Sequence, residues 1–193
     1  MRKFVRGAEP DFLADKWEKW GLEWEQRRQD KPAAQFHWHE INGEKVNQKL
    51  LPFLKEQTQC HCSFCDAFPV APPSIDTIEH FRPKTKFHRD AYRWTNLYFC
   101  CMYCQQKGED FDESLLQPDA DDYEFDRFFS WDFTTGILKI NTLATPEDQH
   151  RADVTIKLYN LNEGHPLLRK LAMQMRSDNQ NIPADFLPYR HFA

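Results

Sequence analysis

Two cysteine pairs, Cys62/Cys65 and Cys101/Cys104, each spaced C-x2-C, carry the clearest chemistry in this chain. Thiolates two residues apart can grip a zinc ion from one side, and two such pairs complete a tetrahedral shell. Cys60, His61 and Cys100 sit beside the pairs and offer other registers, but only Cys62/Cys65 with Cys101/Cys104 gives two symmetric knuckles. With four protein ligands and no open position, such a zinc is structural. The gap from Asp66 to Cys100 is long for a zinc ribbon, which suits a hairpin inserted between the knuckles.

Inside that gap lies Ile78-Glu79-His80-Phe81-Arg82-Pro83. Hydrolysis of a phosphodiester needs an activated water and a metal facing the scissile phosphate. His80 titrates near neutrality and can take the proton of water. Glu79 offers a hard oxygen suited to Mg or Mn. Neighbouring residues of a regular strand point to opposite faces, so the two can cooperate only if the strand ends there, which Pro83 favours. Asn96 can hydrogen-bond across the hairpin and fix the loop that carries His80. Arg82, Lys84, Lys86 and Lys107 are candidate phosphate contacts.

The elements that must position these residues follow from periodicity. Residues 10–28 read as a helix with Leu13, Trp17, Trp20 and Trp24 on one face, and residues 44–58 as a second, with Val46, Leu50, Phe53 and Leu54 in register and Pro52 as a site for a kink. The tryptophan stripe reads first as core and second as a docking face for a partner. Residues 77–81 and 96–100 are short strands, followed by a helix from about Cys104 to Leu116. Pro69, Pro72 and Pro73 make a rigid loop. A second hairpin spans residues 128–140 around Thr135-Gly136. Thr145-Pro146 caps a helix whose buried face is Ala152, Ile156 and Tyr159. A last helix covers about 166–175, and residues 181–193 are irregular. The expected organisation is an N-terminal helical region (1–59), a central unit (60–116) and a C-terminal hairpin with helices (117–193), packed as one unit with the core.

Composition sets further bounds. The net charge of −5 argues against gripping nucleic acid by bulk charge. Basic residues nevertheless cluster over 82–93 and acidic ones over 109–126. No apolar run is long enough for a membrane span, and no signal-like stretch opens the sequence, so a reducing cytoplasm and metal-bound rather than disulfide-bonded cysteines are expected.

The order C-x2-C, Glu-His-x-x-Pro, Asn-Leu, C-x2-C resembles the HNH endonuclease family. The strings IEHFRPK and YRWTNL, the Phe-x-Phe hairpin and IKLYNLN (156–162) resemble its retron-associated and PtuB-type branch, found in Septu antiphage systems. The resemblance covers about 60–170. It implies an α+β chain built on a zinc-stapled ββα-metal core, with helical additions at both ends and the second hairpin. It also implies His80 as general base, Glu79 as ligand of a catalytic Mg or Mn, and Asn96 as the supporting asparagine. In the family an Asn or His usually follows the second knuckle as a further ligand; here Gln105 stands there, with one methylene more. The implied partners are a PtuA-like ABC/SMC-type ATPase, DNA or RNA, and a retron reverse transcriptase with its msDNA. The rival expectation is a zinc-held module that docks nucleic acid or an ATPase without cutting.

Overall fold

The computed structural model describes residues 1–68, 76–179 and 181–190. The proline loop expected at Pro69, Pro72 and Pro73 lies outside them. The chain is α+β, with three antiparallel two-stranded ribbons. Helices α1 (Asp11–Ala14) and α2 (Trp17–Asp30) come first, then β1 (Glu40–Ile41), β2 (Glu44–Lys45) and α3 (Val46–Gln57). The central ribbon pairs β3 (Thr77–His80) with β4 (Leu97–Cys100). After it come α4 (Phe125–Phe128), β5 (Phe129–Asp132), β6 (Ile137–Ile140), α5 (Pro146–Leu158) and α6 (His165–Asp178). No helix among the described residues is long and apolar enough to cross a membrane.

The central ribbon separates two cores. All four residues of β4 are buried. Leu97 and Phe99 join Leu13, Trp20, Trp24, Val46, Leu50 and Leu54 on one side. Tyr98 and Cys100 join the knuckle cysteines, Phe64, Phe128 and Tyr159 on the other. A ribbon covered on both faces reads as a continuous apolar run, which is what Leu97-Tyr98-Phe99-Cys100 is. The tryptophan stripe is therefore core: Trp20 and Trp24 are buried and Trp17 packs against them. As a docking surface it is corrected, because its apolar face is already spent on Tyr92 in the turn at residues 88–92 and on Phe36 and His39.

Two helix expectations change. The first helix is broken, since Lys16 takes φ −126° and starts α2 afresh. The helix expected from Cys104 to Leu116 is one 3-10 turn, Cys104–Lys107. It ends because Gly108 adopts φ +60°, ψ −119°, a conformation outside any helix. Leu115 and Leu116 then enter the core from a loop, in which Leu115 N donates to Asp112 O at 3.0 Å. So the third element after the two strands is a turn rather than an α-helix.

Other local expectations hold with adjustments. Helix α3 runs through Pro52 without a break, and the buried face of α5 is Ala152 and Thr155, with Tyr159 buried at its C-terminal cap and Ile156 half-buried. Thr145 accepts from Asp148 N at the start of α5. Asp132 Oδ1 accepts from Thr134 N (3.0 Å) and Thr135 N (3.1 Å), and Gly136 at φ +74° completes the second hairpin. The β1–β2 ribbon was not expected. Its Asn42-Gly43 turn has φ of 54° and 79°, the signature of a tight hairpin.

The segment near the C-terminal end of the chain returns to the first knuckle. Arg190 donates to both carboxylate oxygens of Asp66, with Nη2 to Oδ1 at 2.6 Å, and to Gln59 Oε1 and Thr58 O. Both side chains are almost fully buried. Removing one partner of a buried pair strands the other charge, at a cost of ~3–5 kcal/mol. Arg190→Ala is expected to lower the denaturant-unfolding free energy by that order; a change within the error of the titration would show that the latch contributes nothing.

Candidate metal centre and cleft

Each cysteine pair sits in a turn closed by the backbone. Asp66 N donates to Cys62 O and Cys62 N to Ala67 O, both at 3.0 Å, while Gln105 N donates to Cys101 O at 3.1 Å. Asp66 takes φ +62°, which reverses the chain at the end of the first knuckle. The four Sγ atoms of Cys62, Cys65, Cys101 and Cys104 lie within 4.8 Å of one another. Cys65 Sγ and Cys101 Sγ are 3.6 Å apart. Tetrahedral zinc with Zn–S bonds of about 2.3 Å places sulfurs about 3.8 Å apart, so the donor set fits zinc. All four are buried, and burial pushes the Cys65 and Cys104 thiols well up. A cation is what makes thiolates acceptable there. The rival registers fall away. Cys60 is exposed, Cys100 Sγ meets Thr77 Oγ1 at 3.3 Å, and the ring nitrogens of His61 meet Gln59 O and Leu187 O.

The strand bearing Glu79 ends at His80, and both residues are buried to within 5% exposure. Both line a cleft of ≈ 280 Å³ together with Lys84, Gln105 and Glu109. The His80 ring stacks on Trp38 (centroids 5.5 Å, 23°) and meets Phe36 edge-on (5.5 Å, 83°). Its Nε2 donates to Ala91 O at 2.9 Å, so Nδ1 carries the lone pair. Ala91 is held by the close approach of α2 to the turn at residues 88–92. A Cβ on Gly21 would stand 2.3 Å from Arg89 O, so that approach requires glycine. Trp24 Nε1 donates to Lys84 O at 2.7 Å on the same side.

Asn96 ties the loop down at three points. Arg82 N donates to its Oδ1 (2.7 Å), and its Nδ2 donates to Arg82 O (3.0 Å) and Asp90 O (2.9 Å). The hydrogen bond expected across the hairpin is thus present, and it locks the chain immediately after His80.

Lys107 is not a phosphate contact. Its side chain is fully buried, with Nζ 2.9 Å from Glu79 Oε1. It also donates to His80 O (3.4 Å) and Asp110 O (3.2 Å). The 3-10 turn that replaces the expected helix points it inward, where it neutralises Glu79. Arg82 faces a different cleft, near Asp90 and Glu113 (3.7 and 3.5 Å). Lys86 is exposed beside neither. Of the four candidate cations, Lys84 alone lines the cleft of Glu79 and His80.

For a catalytic cation the cleft offers the oxygens of Glu79, Gln105 and Glu109, the last of which sequence reasoning did not single out. Among the described residues the four cysteines are the one assembled group of three or more His, Cys, Asp or Glu. Magnesium commonly accepts so few protein ligands, with water and phosphate completing its shell. One Glu79 oxygen is, however, already engaged by Lys107.

Burial also sets the electrostatics. It lowers His80 from its ordinary 6.5 to about 3, with Lys84 adding to the effect, and His165 to about 4. The expectation that His80 titrates near neutrality is therefore corrected: its enclosure disfavours the charged ring. It raises Glu79 from 4.5 to about 7, although Lys107 pulls the other way. The two depressed histidines contribute stability that is present above pH 6.5 and is lost as pH falls through their folded values. Glu79, being raised, contributes stability below pH 4.5 that is lost as pH rises through about 7. Between 6.5 and 4.5 the unfolded chain binds two protons at the histidines and the folded chain one at Glu79. These groups together therefore cost about 1.4 kcal/mol per pH unit on acidification. Urea unfolding at pH 5 is expected to give a stability roughly 2 kcal/mol below that at pH 6.5. Equal values would contradict the buried, neutral histidines.

Sequence reasoning missed Phe36, Trp38, the Ala91 carbonyl and the Glu79–Lys107 pair. The aromatic run Phe36-His37-Trp38-His39 was a signal for the first two; nothing local marked the others. Comparison with protein-family models and with curated proteins finds no match to this chain.

Proposed function

We propose that the chain is a zinc-stapled, metal-dependent endonuclease of the HNH type, cleaving phosphodiester bonds in DNA or RNA. In this reading it is the nuclease component of a Septu- or retron-type antiphage system and works in the cytoplasm with a PtuA-like ABC/SMC-type ATPase. The observation that carries the reading is His80. Its Nε2 is committed to Ala91 O, its ring is clamped by Trp38 and Phe36, and it shares a cleft with Glu79 and Gln105.

In the proposed reaction Nδ1 of His80 accepts a proton from water, the water oxygen attacks phosphorus, and the P–O bond to the departing oxygen breaks. With burial holding His80 near 3, the anionic phosphate entering the cleft must raise its basicity for this step. Lys84 offers the phosphate a positive charge at the cleft. Asn96 fixes the loop so that His80 need not reorganise. A Mg or Mn ion held by Glu79, with Gln105 beside it, would supply Lewis-acid stabilisation of the charge that develops.

A second reading is a zinc-held module that binds without cutting. It is favoured by the Glu79–Lys107 ion pair, which competes with metal ligation. Incubating the purified chain with single- and double-stranded DNA and RNA, with and without Mg or Mn, separates the two. Metal-dependent cleavage supports the nuclease; binding without cleavage, alone and with the ATPase, supports the module.

A further inference from the structure

A groove of ≈ 720 Å³ runs between the N-terminal segment and α3, away from the cleft of His80. Its floor is apolar. Val5 is 86% exposed and Phe53 42%, and Phe53 meets Phe12 edge-on at 5.9 Å. Its rim carries Glu9, Asp11 and Glu56, and no Lys or Arg lines it. Two cations border it: Lys49 lies 5.7 Å over the Phe12 ring and pairs with Glu44, and Arg93 pairs with Asp90 and acts on Glu9. That leaves Asp11 and Glu56 as the carboxylates without an ion pair among the described residues. Gln57, at the edge of the groove, accepts from Gly7 N through Oε1 and so fixes the N-terminal segment against α3.

Exposed Val5 and Phe53 beside carboxylates give the groove the two halves, apolar and acidic, that an amphipathic cationic partner would meet. The three carboxylates repel a phosphate backbone and attract a cationic partner. We propose that the groove docks a basic amphipathic helix of a partner protein, with apolar anchors seated on Phe12 and Phe53 and lysines or arginines against the acidic rim. The proposal rests on the groove and holds whether or not the chain cleaves nucleic acid.

The test uses a fluorescein-labelled helical peptide of leucine and lysine and its leucine–glutamate twin, read by anisotropy against the full chain. The lysine peptide is expected to bind and its twin not. Phe53→Asp, and separately the triple change Glu9→Lys, Asp11→Lys and Glu56→Lys, should each weaken binding at least about tenfold. Leu143→Asp, at a residue 94% exposed and outside the groove, should leave it unchanged. Asp11, Phe53 and Glu56 are exposed and Glu9 is half-buried, and unchanged thermal melts establish that the variants fold. Equal binding by parent and groove variants overturns the proposal. So does self-association of the parent that Phe53→Asp abolishes, which would assign the groove to a second copy, or loss of nucleic-acid binding in Phe53→Asp.

Discussion

Replacing Cys62 and Cys101 together by serine is expected to give a chain that holds no zinc and melts without a cooperative transition. Zinc held by such sites contributes about 10–16 kcal/mol in small zinc-finger peptides at pH 7. The whole stability of a domain is about 5–15 kcal/mol. The surrounding structure has little to put in its place. The central ribbon has strands of four residues, and an isolated hairpin is marginal in water. Cys101 N also donates to Cys62 Sγ, so the substitution removes a link between the knuckles besides the ligands. Phe64, between the first pair, stacks on Tyr159 at 3.9 Å, so loss of the knuckle reaches the core under α5. Elemental analysis and a circular-dichroism melt decide the matter: a sharp transition at the parent's temperature in zinc-free protein would refute a structural role.

His80→Ala is expected to slow cleavage by about 10²–10⁴ while zinc content stays at the parent's level. The ring is sandwiched by Trp38 and Phe36, so its removal also leaves a cavity. Losing a buried ring of this size costs several kcal/mol, on the order of 3–5 for an aromatic. Rates must therefore be compared below the variant's melting temperature. Cleavage as fast as the parent's would remove His80 from the reaction. A drop that is matched by loss of zinc would instead mean that the fold had failed.

What could be read from the residues was chemistry with a single local meaning. Paired cysteines have few uses, Thr145 before Pro146 can cap only a helix start, and a glycine directly after Phe-Thr-Thr closes a hairpin. What could not be read depended on long-range burial. In sequence, Lys107 looks like any lysine beside a knuckle; only its enclosure with Glu79 makes it an internal counter-ion. The helix after Cys104 fails at Gly108, whose backbone angle no propensity specifies. The wall behind His80 comes from Phe36 and Trp38, far away along the chain and in a segment without periodic structure. The tryptophan stripe was ambiguous by nature, because a core face and a docking face use the same residues until a neighbour is seen to cover one of them.

The latch between Arg190 and Asp66 bears on timing as the chain is made. Its partners are 124 positions apart, so it cannot close until residue 190 has left the ribosome. The two knuckles need only residues 62–104, and Asn96 clamps the His80 loop within the same stretch. Synthesis at about 5–20 residues per second puts a delay of roughly several seconds between these events. The metal centre can thus assemble early on an unlatched scaffold. The contacts that span most of the chain come last, as expected where large loops must be closed before their contacts repay the entropy.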